Sequence, residues 1–414
     1  MLTSKKATRL ALAVALTASA GGILSGGSAK ADPKQLTAAV GVGSDTIQDV
    51  MNAFSGNTNN INYVPLQSSV ASGSRQIISF DAIPPAGVTG ACITVKPGAP
   101  TIDRPNGSGA GRRALSRAID GTGYGNTAVG FACGGVNNVS GLLQFARSSA
   151  GPAAGDTGTA LTYVPFGRDA VSFAAYRANG VAVTSLTRAQ LTTLFTTGPA
   201  VIGGVRIVPC GIQLGSGTKT FWDGVTTATA AQEATATTEC NALVTNLLGG
   251  RAEENDGNAL KARGDALAAV PATANDQVIV GFSAASFIAK SNLVAPGAPP
   301  AGVSMGSISD DGVIIAPATV GQNLGSPVTG VVPNLQESAT FYASAIFGRQ
   351  VYNVFSTAVI SSAFGNADLK SLFVGPTSAM CSAAATTTIG NFGFLPIATC
   401  GSTTTLGSLI TGAF

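Results

Sequence analysis

No histidine occurs among the 414 residues. Its absence excludes Ser-His-Asp and Cys-His nucleophilic catalysis and removes both the commonest metal ligand and the side chain that shuttles protons near neutral pH. Charge is scarce as well, at 10% of residues against ~25% in an average protein, so Gly, Ala, Thr and Ser must carry the surface. Beyond the first thirty residues no run approaches the ~18 consecutive apolar residues that span a bilayer. The six cysteines include no CxxC pair, which argues against redox or zinc chemistry. Tryptophan occurs once, as Trp222, and a lone tryptophan is more often core packing than a platform for a ligand.

The start of the chain reads as an export signal over residues 1–31. Lys5, Lys6 and Arg9 precede the short apolar run Leu10 to Ala20, and Ala29-Lys30-Ala31 offers a small-x-small cleavage site before Asp32. The mature chain is therefore expected outside the cytoplasm, secreted or at the cell envelope, with no cysteine at the cleavage site to carry a lipid anchor. Setting aside Lys5, Lys6, Arg9 and Lys30 reduces the 23 basic residues to 19 against 20 acidic ones. The apparent basicity belongs to the export segment, and no electrostatic footprint for nucleic acid remains. An even set of cysteines in an exported chain, Cys92, Cys133, Cys210, Cys240, Cys381 and Cys400, implies three disulfides. Pairing in sequence order closes three local loops, but fifteen connectivities are open.

Removing 31 residues leaves 383, more than one typical core and enough for about two domains. Apolar strand-like runs alternate with helical stretches: Ala39 to Val42 before Asp45 to Phe54, Val171 to Ala175 before Arg188 to Phe195, and Val278 to Phe282 before Ala284 to Lys290. The alternation predicts an α/β architecture. Thr187 is placed to cap a helix whose Leu191, Leu194 and Phe195 share one face. Thr226 to Thr238 fits helix or loop, and the Pro/Gly-rich segments 295–302 and 321–333 read as surface connections.

Three segments share a design in which small residues lead into a helix. They are Gly43-Ser44-Asp45-Thr46, Gly107-Ser108-Gly109-Ala110-Gly111 and Gly215-Ser216-Gly217-Thr218, the last running into Lys219-Thr220-Phe221-Trp222. Small residues allow close backbone approach, and a helix start offers unpaired N–H groups and about half a positive charge. Such loops bind anions; a Ser or Thr before a helix is also an ordinary N-cap. No Walker motif is present.

The order of these words, with Phe145-Ala146-Arg147-Ser148-Ser149, Tyr163 to Val171, Leu186 to Leu191 and Val278 to Phe282 between and after them, resembles the phosphate-binding proteins of ABC transporters over nearly the whole mature chain. The resemblance implies a type II periplasmic-binding-protein fold of two discontinuous lobes, 37–168 with 351–414 and 169–350, joined by hinge strands near Val164 to Ala175 and Gln350 to Phe355. It implies a non-catalytic protein, without cofactor, that captures a phosphate-like anion between the lobes and serves an ABC permease. By the same resemblance the ligand-binding set is Ser44, Asp45, Thr46, Ser108, Gly109, Arg147, Ser148, Ser216, Gly217 and Thr218. The family's aspartate in the Phe145 segment is Ser149 here, and its arginine and aspartate before GSGT are replaced by Ile212, Gln213 and Leu214. Arg147, Arg112 and Arg168 are the candidates to supply the missing cation. Loss of a carboxylate that favours a protonated oxygen relaxes selection against fully ionised anions such as sulfate.

Two acidic stretches read as turns. Glu253-Glu254-Asn255-Asp256-Gly257-Asn258 lacks the spacing of a calcium loop and reads as a solvated turn, and Asp310-Asp311-Gly312 reads as a hairpin turn. The alternative to anion capture is a secreted structural or cell-surface protein that keeps the fold without transport. A hydrolase is disfavoured because histidine and clustered carboxylates are lacking.

Overall fold

The structure, a computed structural model, describes residues 39–69, 76–84, 92–125, 133, 135–246, 248–310, 322–360 and 365–412. The expected export segment and residues 311–312 of the expected hairpin turn lie outside them. No described helix is long and apolar enough to cross a membrane.

The predicted alternation of strand and helix is present, and it builds one ten-stranded mixed sheet. Its strands are β1 (Ala39–Gly43), β2 (Ile77–Ser79), β3 (Phe145–Ser148), β4 (Leu161–Tyr176), β5 (Ala200–Ile202), β6 (Val205–Pro209), β7 (Gln277–Ser283), β8 (Ser304–Met305), β9 (Gly348–Ser356) and β10 (Thr405–Gly407). The order is β5-β6-β7-β4-β9-β3-β1-β2, with β8 and β10 also on β4. β1 lies parallel to β2 and β3, while β9 and β4 run antiparallel through the centre. The sixteen residues of β4 divide their pairing. Leu161 to Ala170 pair with β9, and Val171 to Tyr176 pair with β7.

That division also separates the hydrophobic cores. Ala170 to Tyr176 pack with Leu191, Trp222, Val280 and Phe341 in one cluster, whereas Val164 and Phe166 pack with Ile47, Phe54, Phe145 and Phe373 in another. Two smaller clusters, around Val40 and around Leu115, lie on the same side of the division as the second, and the described residues thus form two lobes sharing one sheet. The helices that matter to the site are α1 (Gln48–Phe54), α2 (Gly107–Asp120), α3 (Arg188–Thr197), α4 (Gly217–Thr226), α5 (Gly257–Ala268) and α6 (Ala284–Ser291). Every residue of α6 is buried, with Phe287 and Ile288 in one core and Ala285 and Ala289 in the other, so this helix is wedged between the lobes.

Local signals act as their chemistry dictates. Thr187 caps α3 in a reciprocal box with Gln190, and Leu191, Leu194 and Phe195 are its buried residues. Ser216 caps α4 by accepting from the amides of Thr218 and Lys219. Thr226 to Thr238 is both alternatives in turn: α4 ends, Thr227 turns left-handed, and a short helix runs Ala230–Ala236. Trp222 is core, edge-on to Phe195 at 5.5 Å. The cysteines pair in sequence order, Cys92–Cys133, Cys210–Cys240 and Cys381–Cys400, with Cα separations of 5.6, 5.0 and 5.8 Å.

Candidate functional site

The three small-residue loops meet where the lobes face each other. Gly43 bridges to Asn106 just before α2, the Gly109 amide donates to Gly215 O at 3.0 Å, and the Thr46 and Thr218 hydroxyls are 3.1 Å apart. The approach needs glycine. A Cβ on Gly107, which has φ of 87°, would lie 2.6 Å from Gly215 O, and one on Gly217 would lie 2.5 Å from Ser108 Oγ.

Convergence does not make the hollow positive, which corrects the reading from helix starts. The amides of Gly109, Thr218 and Lys219 are already spent on Gly215 O and Ser216 Oγ, and Lys219 turns away to Asp223 and Glu233. In their place the hollow holds three carboxylates. Asp45, Glu253 and Glu254 each bring an oxygen within 4.8 Å of the others, and all are buried. The segment expected to be a solvated turn is therefore an interior wall, with Glu254 fully buried. The expectation that clustered carboxylates are lacking is corrected here: they come from two segments about two hundred residues apart, which linear spacing does not reveal.

Each glutamate gives one oxygen to neighbours. Glu254 Oε1 accepts from Ser216 Oγ at 2.7 Å and from Thr46 Oγ1 at 3.1 Å, and Glu253 Oε1 accepts from Asn106 Nδ2 at 2.9 Å, with Gln213 behind Asn106. Both Asp45 oxygens, Glu253 Oε2, Glu254 Oε2 and the buried Ser44 Oγ meet no hydroxyl, amide or cation; the Asp45 carboxyl instead lies against those of Glu253 and Glu254, where a proton on one acid can bridge to the next. No arginine or lysine forms an ion pair with the trio among the described residues. Burial, then the negative charge of Glu253, pushes the Asp45 carboxyl up to about 8. Glu253 and Glu254 are raised for the same two reasons, burial first and then a neighbouring carboxylate.

The remaining expected residues fall around this chamber. Arg147 is buried beneath the first loop, donating to Gly43 O at 2.7 Å, Ser44 O at 3.0 Å, Ser79 Oγ at 2.6 Å and Phe80 O at 2.7 Å. It is a strut that fixes the loop. Ser148 Oγ turns back onto Ala150 O. Ser108 and Ser149 hydroxyls are 3.1 Å apart, and Ser149 faces a second space.

That second space is a cleft of about 930 Å³ between the lobes. Arg112 and Ser149 to Ala154 line it from one side, Arg188, Thr220 and Phe221 from the other, and Arg168, Arg349 and Tyr352 along the central strands. Four guanidinium groups line it and no carboxylate does. Arg112 is held by Ser108 O, Gly151 O and the Tyr163 hydroxyl, and Arg168 by Tyr342 O and Ser344 O. Uncharged partners fix these cations without neutralising them. Arg188 donates to Val225 O at 2.8 Å and lies 3.8 Å from Asp310. Arg349 pairs with Asp169 at 2.8 Å, lies over the Phe221 ring and leaves Nη1 buried without a partner. Sequence reading named Arg112 and Arg168 as candidates; Arg188 and Arg349 went unremarked, one inside a helix signal and the other inside a strand signal.

A hydrogen-bond relay connects the two spaces. Arg349 can only donate, and its Nη2 lies 2.7 Å from Thr218 Oγ1. Thr218 then donates to Thr46, and Thr46 to Glu254 Oε1.

No family model and no curated protein sequence matches this chain. Among solved structures it is similar to a Clostridium perfringens protein proposed to be a phosphate ABC transporter substrate-binding protein and solved with phosphate bound. That pair shows 12% identity, a TM-score of 0.44, and coverage of 87% of this chain and 99% of the other. An ABC-type phosphate transport receptor from Vibrio cholerae follows at 13% identity and TM-score 0.42, covering 86% and 98%. A human phosphate binding apolipoprotein stands at 16% and 0.41, covering 87% and 90%. Similarity at this level assigns no ligand to these residues.

Proposed function

We propose that this chain is an extracytoplasmic solute-binding protein that captures a small oxyanion-bearing solute between its lobes. The observation that carries the reading is the cleft of about 930 Å³ with four arginines and no carboxylate on its walls. Its volume suits a small ligand, and guanidinium forks recognise phosphate, sulfate and carboxylate oxygens in pairs. The anion sits against Arg112, Arg168, Arg188 and Arg349, with Ser149 and Thr220 hydroxyls as further donors. It does not sit among Ser44, Asp45 and Thr46, where three buried acids take the place of cations and the nearest helix amides are already engaged. Three disulfides and the signal pattern of residues 1–31 support export, and delivery to a permease follows from the resemblance in motif order. Phosphate is the first ligand to test for that reason, with sulfate and small phosphorylated metabolites beside it. Titration calorimetry of the purified mature chain is expected to give saturable heat with at least one of these anions. Absence of heat with all of them refutes the reading.

A further inference from the structure

We propose that Asp45, Glu253 and Glu254 form a binding site for one divalent cation of the calcium class, bridging the two lobes beside the anion cleft. The site is built from both sides. Asp45 and Asn106 belong to the segments around β1 and α2, while Glu253, Glu254, Ser216 and Gln213 come from the segments around α4 and α5. A cation about 2.4 Å from each of three oxygens requires those oxygens to lie no more than about 4.8 Å apart, which the trio satisfies.

The surroundings are those of a ligand shell as well as an acidic cluster. Hydroxyl and amide donors from Ser216, Thr46 and Asn106 take one oxygen of each glutamate, as outer partners do when they orient ligating carboxylates. The oxygens left over, Glu253 Oε2, Glu254 Oε2 and both of Asp45, meet no hydroxyl, amide or cation and face only one another's carboxyls. Independently of the carboxylates, the fully buried Ser44 Oγ, beside Asp45 in the same loop, is also unpartnered. A neutral oxygen with no donor to meet is the ligand type that hard cations add to carboxylates. Arg147, the cation beneath the first loop, is committed to Gly43 O, Ser44 O and Phe80 O and cannot substitute. Calcium fits better than magnesium because three protein carboxylates in a buried space leave little room for the waters that magnesium retains.

The test uses the purified mature chain stripped with a chelator and titrated with calcium chloride and magnesium chloride near pH 8. Calcium is expected to bind one per chain, more tightly than magnesium, and to raise the melting temperature by about 3–5 °C when in large excess over the dissociation constant. Asp45→Asn and Glu254→Gln are expected to lose the calcium heat, and Asn106→Ala, which frees Glu253, to weaken binding by roughly 10–100-fold. The cation-free Asp45→Asn protein should melt no lower than the wild type, since a buried charge is removed, so a failure to bind is not a failure to fold. If the wild type shows neither heat nor a rise in melting temperature, the trio holds protons only and the site is refuted. Calcium heat of wild-type size in Asp45→Asn refutes it equally. Anion titrations of the same samples read the arginine cleft separately, so either site can fail without the other.

Discussion

The acidic chamber and the arginine cleft lie side by side between the same two lobes, each lined by charge of one sign, yet they treat that charge oppositely. In the cleft, each guanidinium is either braced by uncharged partners or paired with a carboxylate behind it, and the space stays open to a counter-ion. In the chamber, the carboxylates face one another with water excluded, so they must be neutralised by protons or by a cation. The comparison teaches that the sign of a site is decided by what its backbone amides are already doing. The helix starts at Ser108 and Ser216 have their nearest donors engaged by Gly215 O and Ser216 Oγ, and side chains then set the field.

Arg349 is where the comparison is easiest to break, because it belongs to the cleft and begins the relay to the chamber. Arg349→Gln leaves Asp169, which is fully buried, without its cation. The expected cost is about 3–5 kcal/mol of stability, read from urea denaturation, together with loss of anion binding in calorimetry. A stable variant with unchanged anion affinity would separate Arg349 from the cleft's function.

The chamber gives the next largest effect, through pH. The folded-state Asp45 carboxyl titrates at about 8 against 3.8 for the free group, so between these values the folded protein binds more protons than the unfolded chain. Its contribution is complete below about pH 4 and is lost as pH rises through about 8. Glu253 and Glu254 shift in the same direction, with Asp256 adding to the pressure on Glu253. Arg147, itself lowered by burial, is a cation that acts on Asp45 from beneath the loop. Chelator-treated protein is expected to lose on the order of 3 kcal/mol of stability between pH 5 and pH 8. Asp45→Asn should flatten that profile. A wild-type stability that rises over this range would show that the carboxylates are ionised in the fold without strain.

Much of the fold was legible because its signals are local. The apolar runs at Ala39, Val171 and Val278 became strands, and Thr187 with Gln190 closed the box that starts α3. The meeting of the three small-residue loops was legible too, because glycines that tolerate close approach recur before each helix. The chamber was not. Asp45 and Glu253 are distant in sequence, and the stretch Glu253 to Asn258 has the composition of a solvated turn. Only tertiary contact with Asn106 and Ser216 shows that its acids point inward. Arg188 and Arg349 were hidden for a related reason, since a helix pattern and a strand pattern accounted for them without asking where the guanidinium ends.

The cleft alone supplies the smallest and most selective test. Arg112 and Arg188 are partly exposed, and neither has a carboxylate in close contact; Arg188 Nε donates to Val225 O at 2.8 Å, with Asp310 farther off at 3.8 Å. Arg112→Ala and Arg188→Ala are each expected to cost about 1.5–2 kcal/mol of anion affinity, roughly ten- to thirtyfold; stability should change by less than about 1 kcal/mol for Arg112→Ala and by more for Arg188→Ala, which removes a cation from beside the buried Asp310. Raising sodium chloride from low to physiological strength should weaken the same anion binding, because the Debye length falls to ~8 Å and the cleft is open to salt. The buried chamber is screened much less, so its calcium affinity should respond weakly to the same change. Calorimetry of both ligands across one salt series therefore compares the two spaces directly. Equal salt sensitivity would mean that the chamber is as open to solvent as the cleft, and the distinction drawn between them would not hold.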